Sequence, residues 1–93
     1  MSNEALTIAV QAALAGDWVK SHNIAQDYIG DANNTYIANW IHAVLHKIEG
    51  DQRNSSYWYA RTNGKKYTDF SNANAELAAI LQQLTVWKDR LFN

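Results

Sequence analysis

A Gly-Asp dipeptide occurs twice in this chain, as Gly16-Asp17 and Gly50-Asp51, 34 residues apart. The same offset carries Ser21 onto Ser55, Gly30 onto Gly64, Ala9 onto Ala43 and Val10 onto Val44. A period of about 34 residues is the length of one helix–turn–helix repeat unit. Glycine ends a helix by adopting a left-handed conformation, and aspartate opens the next by accepting from free N–H groups. The repeated dipeptide therefore reads as a repeated stop-and-start signal between paired helices. A third Gly-Asp would fall at Leu84-Thr85, so the repeat ends before the last segment.

The rest of the chain fits an all-α domain. Its 93 residues make one domain, 1–93, and none is a proline, which suits uninterrupted helices. There is no cysteine, so disulfides and thiolate metal sites are excluded. The net charge of −1 gives no electrostatic case for nucleic acid or an anionic membrane. Lys65-Lys66 is the longest basic run and reads as a solvated loop. No apolar stretch is long enough to span a bilayer, and the start of the chain lacks the basic segment of a secretory signal. A cytoplasmic location is the expectation.

Helical spacing predicts five helices. The first carries Leu6, Val10, Ala13 and Leu14 after Ser2 or Asn3 as a cap, and stops at Gly16. The second follows Asp17, faces inward with Trp18, Ser21, Ala25, Tyr28 and Ile29, and stops at Gly30. Asp31–Asn34 reads as polar loop. The third starts near Asn34 or Thr35 and runs to Glu49, with Ile37, Ile41, Val44, Leu45 and Ile48 as its apolar stripe. The fourth follows Asp51, carries Ser55, Trp58, Tyr59 and Thr62, and is closed by Gly64. After a connector at Lys65–Asp69, the fifth starts near Asp69 or Ser71 with Leu77, Ile80, Leu81, Leu84, Trp87 and Leu91 inward. The expected architecture is two helix–turn–helix hairpins plus a longer C-terminal capping helix. Small residues such as Ser21 and Ser55 let paired helices approach closely.

The segment Gly50-Asp51-Gln52-Arg53-Asn54-Ser55-Ser56-Tyr57-Trp58-Tyr59-Ala60-Arg61 resembles the second helix of tetratricopeptide and Sel1-like repeats. Trp58-Tyr59, Arg61 and Gly64 follow the Sel1-like order, while Thr62 and Asn63 stand where those units usually carry alanine. A second resemblance covers most of the chain from Ala13 to Gly64. Gly16-Asp17-Trp18, His22, Gln26, Trp40-Ile41-His42-Ala43, Leu45-His46-Lys47, Glu49-Gly50-Asp51, Asn54 and Tyr57-Trp58-Tyr59 look like a family of small bacterial proteins of unknown function. This resemblance implies a bacterial cytoplasmic protein and no particular activity.

The candidate site is on the third helix. At about 100° per residue, His42, His46 and Glu49 fall on one side, just beside the apolar stripe. Two imidazoles at i and i+4 with a carboxylate one turn on could hold Zn²⁺ or a similar ion, with His22 as a further ligand from the second helix. Ala43 follows His42, so the glutamate of the zinc-protease motif is missing. The alternative is that the histidines bridge core and solvent and bond to neighbours such as Glu49. The first repeat has Ile8, Ala12 and Ala15 at these places, so the hairpin itself does not need imidazoles.

The aromatic group Trp40, Tyr57, Trp58 and Tyr59 is the second signal. Trp58 and Tyr59 lie on the expected inward face, whereas Trp40 and Tyr57 sit off the stripes and read as candidate exposed contacts. Asp17 and Asp51 read as helix caps, not as a catalytic pair. Arg53 and Arg61 read as surface cations.

The sequence therefore predicts a non-catalytic module that binds a protein or peptide through His42, His46, Glu49 and Tyr57, with Trp40 and His22 at the margin and no cofactor. The rivals are a metal-dependent sensor or enzyme at the histidines and a purely structural oligomerising subunit. A homodimer through the first or fifth helix is a further expectation.

Overall fold

The computed structural model describes residues 3–92, with side chains from Glu4 to Thr85. The fold is all-α, with α1 (Asn3–Leu14), α2 (Trp18–Asp27), α3 (Ala32–Ile48), α4 (Gln52–Tyr59) and α5 (Ala73–Phe92), and a short 3₁₀ turn at Tyr67–Asp69 before α5. No helix among the described residues is long and apolar enough to cross a membrane. Ser2, expected as a cap, lies outside the described residues, and the expected inward side chains of Trp87 and Leu91 lie outside the described side chains.

The two Gly-Asp turns are the same structure made twice. Gly16 and Gly50 have φ of +88° and +86°, a conformation that disfavours any side chain with a Cβ. The Asp17 N–H donates to the Ala12 carbonyl at 2.8 Å and the Gly16 N–H to Ala13 at 3.1 Å. In the second unit Asp51 donates to His46 at 2.9 Å and Gly50 to Lys47 at 3.1 Å. This is the Schellman pattern, which satisfies the last carbonyls of a helix. Each aspartate then caps the following helix: Asp17 accepts from the Lys20 N–H and Asp51 from the Asn54 N–H, both at 3.2 Å.

The repeat is looser away from these turns. Gly30 does not stop α2. The helix ends at Asp27 because Tyr28 is extended, at φ −63° and ψ 124°. Ile29, expected inward, is 95% exposed. Asp31–Asn34 is the start of α3, since the Asp31 carboxylate accepts from the Asn33 N–H at 2.9 Å and its carbonyl from Asn34 at 2.9 Å. Helix α4 ends at Tyr59, so Gly64 belongs to the turn beyond it. Helix α5 starts later than expected, at Ala73, with Asn72 accepting from the Ala75 N–H at 2.9 Å.

Helix α3 is the hub, packing against α1, α2, α4 and α5. Every residue from Trp40 to His46 is buried, the mark of a helix enclosed on all sides. That enclosure corrects the single-stripe expectation. Trp40 is 3% exposed and forms part of the core, not a contact surface. Ile48, expected inward, lies near the open end of the helix and is exposed. Leu6, Val10, Ile41, Val44, Leu45, Leu77 and Ile80 make the centre of the apolar core. Helix α5 packs on α1 and α3, so the two helices expected to offer dimer faces are packed against each other within the chain.

The repeated serines sit at the helix crossings, both fully buried. Ser55 Oγ donates to the Ala43 carbonyl at 2.7 Å, whereas Ser21 Oγ has no partner. Replacing Ser55 by Ala is therefore expected to cost about 1 kcal/mol, the net worth of a buried hydrogen bond. Ser21→Ala removes an orphaned hydroxyl and is expected to be neutral or stabilising. Urea melts of the two variants measure the contrast, and equal losses would contradict it.

Candidate functional site

The face formed by α2, α3 and α4 gathers the aromatic and imidazole side chains. His42 and His46 lie one turn apart on α3, with ring centroids 4.9 Å apart and planes 29° from parallel. His22 projects from α2 and meets both edge-on, at 4.6 Å from His42 and 5.3 Å from His46. One ring nitrogen from each of the three histidines lies within 4.8 Å of the other two. Sequence placed His22 at the margin; the α2–α3 crossing brings it to the centre.

Two tryptophans flank the imidazoles. Trp18 stacks on His22 at 4.6 Å, and its indole N–H donates to the Leu45 carbonyl at 2.7 Å. That bond fixes the start of α2 to the last turn of α3. Trp58 stacks on His42 at 4.0 Å with planes 14° apart. The file continues outward through Tyr57, edge-on to Trp58 at 5.1 Å, to the Arg61 guanidinium, 3.6 Å from the Tyr57 ring centroid. Arg61 Nη1 also donates to the Tyr57 carbonyl at 2.9 Å. Tyr57 is half-exposed, as its position off the stripe predicted.

Burial disfavours protonation of His42 and His22. Burial pushes the pKa of His42 down to about 4, with the neighbouring His22 and His46 adding to the shift. Burial also lowers His22, again with His46 contributing. Glu49 hydrogen-bonds to His46 Nδ1 at 2.9 Å, and Asp51 lies close enough to make a second group with these two. Glu49 thus holds the orientation of His46 instead of joining the three imidazoles. His42 makes no side-chain hydrogen bond to another protein group among the described residues, and its ring nitrogens are not sealed from solvent.

A second polar cluster lies across α3, and sequence reading missed it. Glu76 is 0% exposed. One carboxylate oxygen accepts from Tyr59 Oη at 2.6 Å and from Trp40 Nε1 at 2.8 Å. The other pairs with Lys47 Nζ at 2.9 Å. Lys47 Nζ also donates to the Tyr67 and Phe70 carbonyls, each at 2.8 Å. Burial, with the Glu76 carboxylate adding to it, pushes the Tyr59 phenol well above its ordinary range. All donors here have acceptors within the protein, so the cluster joins α3, α4 and α5 and leaves nothing to offer a ligand. The sequence signal was present: Glu76 lies one turn before Ile80 and beside Leu77, on the inward stripe of α5.

No family model matches this chain, and no curated protein or solved structure shows detectable similarity to it.

Proposed function

We propose that this chain is a small, non-catalytic binding module of tetratricopeptide-type hairpins that recognises a protein or peptide through the α2–α3–α4 face. One observation carries the reading. Five rings from three helices run in unbroken contact, Trp18–His22–His42–Trp58–Tyr57, ending under the Arg61 guanidinium. The first hairpin folds without imidazoles, having Ile8 and Ala12 where α3 has His42 and His46, so pairing the helices does not require this file. Its outer end exposes Tyr57 and Arg61, residue types that dominate binding hot spots. The ring and guanidinium already hold each other, so little side-chain freedom remains to be lost on binding. Trp40, buried against α5, drops out of the proposed surface. The setting proposed for this module is the bacterial cytoplasm.

The test is capture of partners from the lysate of the native host, comparing the wild type with a Tyr57→Ala, Arg61→Ala double variant that retains its helical circular dichroism. A partner held by this face should lose roughly thirty-fold or more in affinity, the equivalent of a hot spot worth 2 kcal/mol. Equal capture by both proteins would remove the face from the proposal. Light scattering at tens of micromolar reports self-association separately; loss of a dimer in the variant, with no other partner affected, would favour a purely structural oligomerising role.

A further inference from the structure

We infer that His22, His42 and His46 form a binding site for one divalent transition-metal ion of the Zn²⁺ class, clamping α2 to α3. The site shares the face proposed above for partner binding but does not depend on a partner, because metal uptake is read on the purified protein alone.

Three independent features support it. The first is convergence. One nitrogen from each ring already lies within 4.8 Å of the other two. Zn–N bonds of about 2.0–2.1 Å in a tetrahedral site put ligand nitrogens roughly 3.3 Å apart, so the gaps to close are about 1.5 Å at most. His42 and His46 come from adjacent turns of one helix. His22 is half-buried on a separate helix, so adjusting its side-chain torsions can bring the rings together without unwinding α3.

The second feature is the orientation of His46. Its Nδ1 is engaged by Glu49 at 2.9 Å, which leaves Nε2 as the nitrogen with a free lone pair. A carboxylate on the far nitrogen is the outer partner that metal-bound imidazoles typically keep, and it raises the basicity of the ligating nitrogen. Glu49 is the C-cap residue of α3, immediately before the Gly50 turn, whose Asp51 N–H donates to the His46 carbonyl at 2.9 Å, so the backbone beneath this ligand is fixed as well.

The third feature is an unused ligand. His42 is 3% exposed, and no protein group among the described residues engages its ring nitrogens, which are not sealed from solvent and so are open to an ion. Packing alone does not explain the choice of residue. The corresponding positions in the first hairpin hold Ile8 and Ala12, and His22 corresponds to Ser56 in the second, so the imidazoles occur only where the two hairpins meet.

Donor chemistry selects the ion. Three imidazoles and no thiolate suit Zn²⁺, Co²⁺, Ni²⁺ and Cu²⁺ and disfavour Mg²⁺ and Ca²⁺, which need oxygen ligands. The protein supplies three nitrogens, so the fourth position falls to water or to a donor from a bound molecule.

The experiment uses untagged full-length protein, stripped with chelator and titrated with Zn²⁺ by calorimetry and with Co²⁺ by visible absorption. The expected result is one equivalent of Zn²⁺, a Co²⁺ spectrum with the intensity of a four-coordinate site, no response to Mg²⁺, and a higher melting temperature with Zn²⁺. His22→Ala is the decisive variant, since this side chain is partly exposed and its loss leaves the α3 core intact; it should weaken binding by more than the roughly 10–100-fold expected for Glu49→Gln. His42→Gln should behave like His22→Ala. Absence of saturable binding in the wild type, or binding unchanged in a folded His22→Ala protein, would overturn the inference. Tyr57→Ala, Arg61→Ala should bind Zn²⁺ as the wild type does, which separates this site from the partner-binding proposal.

Discussion

Glu76→Ala is expected to destabilise the protein by about 3–5 kcal/mol, the usual cost of removing one partner of a buried ion pair. The loss has several sources that act together. Lys47 keeps two backbone carbonyls but loses its counter-charge, while Tyr59 Oη and Trp40 Nε1 lose their acceptor. A domain of this size has a net stability of only about 5–10 kcal/mol, so the variant would sit near the edge of folding at ordinary temperature. Glu76→Gln keeps the shape and one acceptor oxygen but still abandons the ammonium group, so an intermediate loss is expected. Urea melts of both variants measure these effects. A loss below about 1 kcal/mol for Glu76→Ala would mean that water reaches the cluster and solvates Lys47.

The second large effect is a loss of stability in mild acid, assigned to His42. Its folded pKa is pushed down to about 4, while an unfolded histidine titrates near 6.5. Between these values the unfolded chain binds a proton that the folded chain refuses. Stability is therefore full above about pH 6.5 and falls as the pH drops towards 4. The whole window is worth about 3 kcal/mol at most. The groups around the ring are His22 from α2, His46 from α3 and the Trp58 ring from α4, with Glu49 behind His46. Lowering of His22 acts in the same direction. The check is to melt chelator-treated wild type and His42→Gln at neutral pH and near pH 4.5. Carboxylates contribute equally to both proteins, so the difference isolates the imidazole. Parallel pH profiles would show that His42 takes up its proton equally in the folded and unfolded chains.

These two clusters were not equally legible in the sequence. The Gly-Asp turns could be read directly because their chemistry is local: a left-handed glycine and a capping carboxylate act within a few residues. His42, His46 and Glu49 could be placed together because all three share one helix. The partnership with His22 depends on where α2 crosses α3, which helical periodicity does not specify. Trp40 was misread for a related reason. Off-stripe positions on a helix are exposed only if one neighbour covers it, and α3 has four. Glu76 was passed over because a carboxylate in an apolar stripe gains its meaning from Lys47, Tyr59 and Trp40, which lie far away in the chain. The early start of α3 was hidden because its first turn is polar on all exposed sides, which resembles a loop.

The position of α3 at the hub also divides the molecule into parts that can open independently and parts that cannot. Helix α4 leans on α3 and, more lightly, on the 3₁₀ turn that follows it. It can lift away from the α1–α2 hairpin at the cost of the Tyr59–Glu76 hydrogen bond to α5, whereas α3 cannot open without parting every other helix. The segment that lifts is held at both ends. The Asp51-to-His46 hydrogen bond secures its start, and Lys47 grips the Tyr67 and Phe70 carbonyls at its finish. Such an opening would separate Trp58 from His42 and Tyr59 from Glu76, and bare the imidazole. In hydrogen-exchange terms, the amides of α4 are expected to form a shallower cooperative unit than those of α3, with the histidine cluster on the boundary between them.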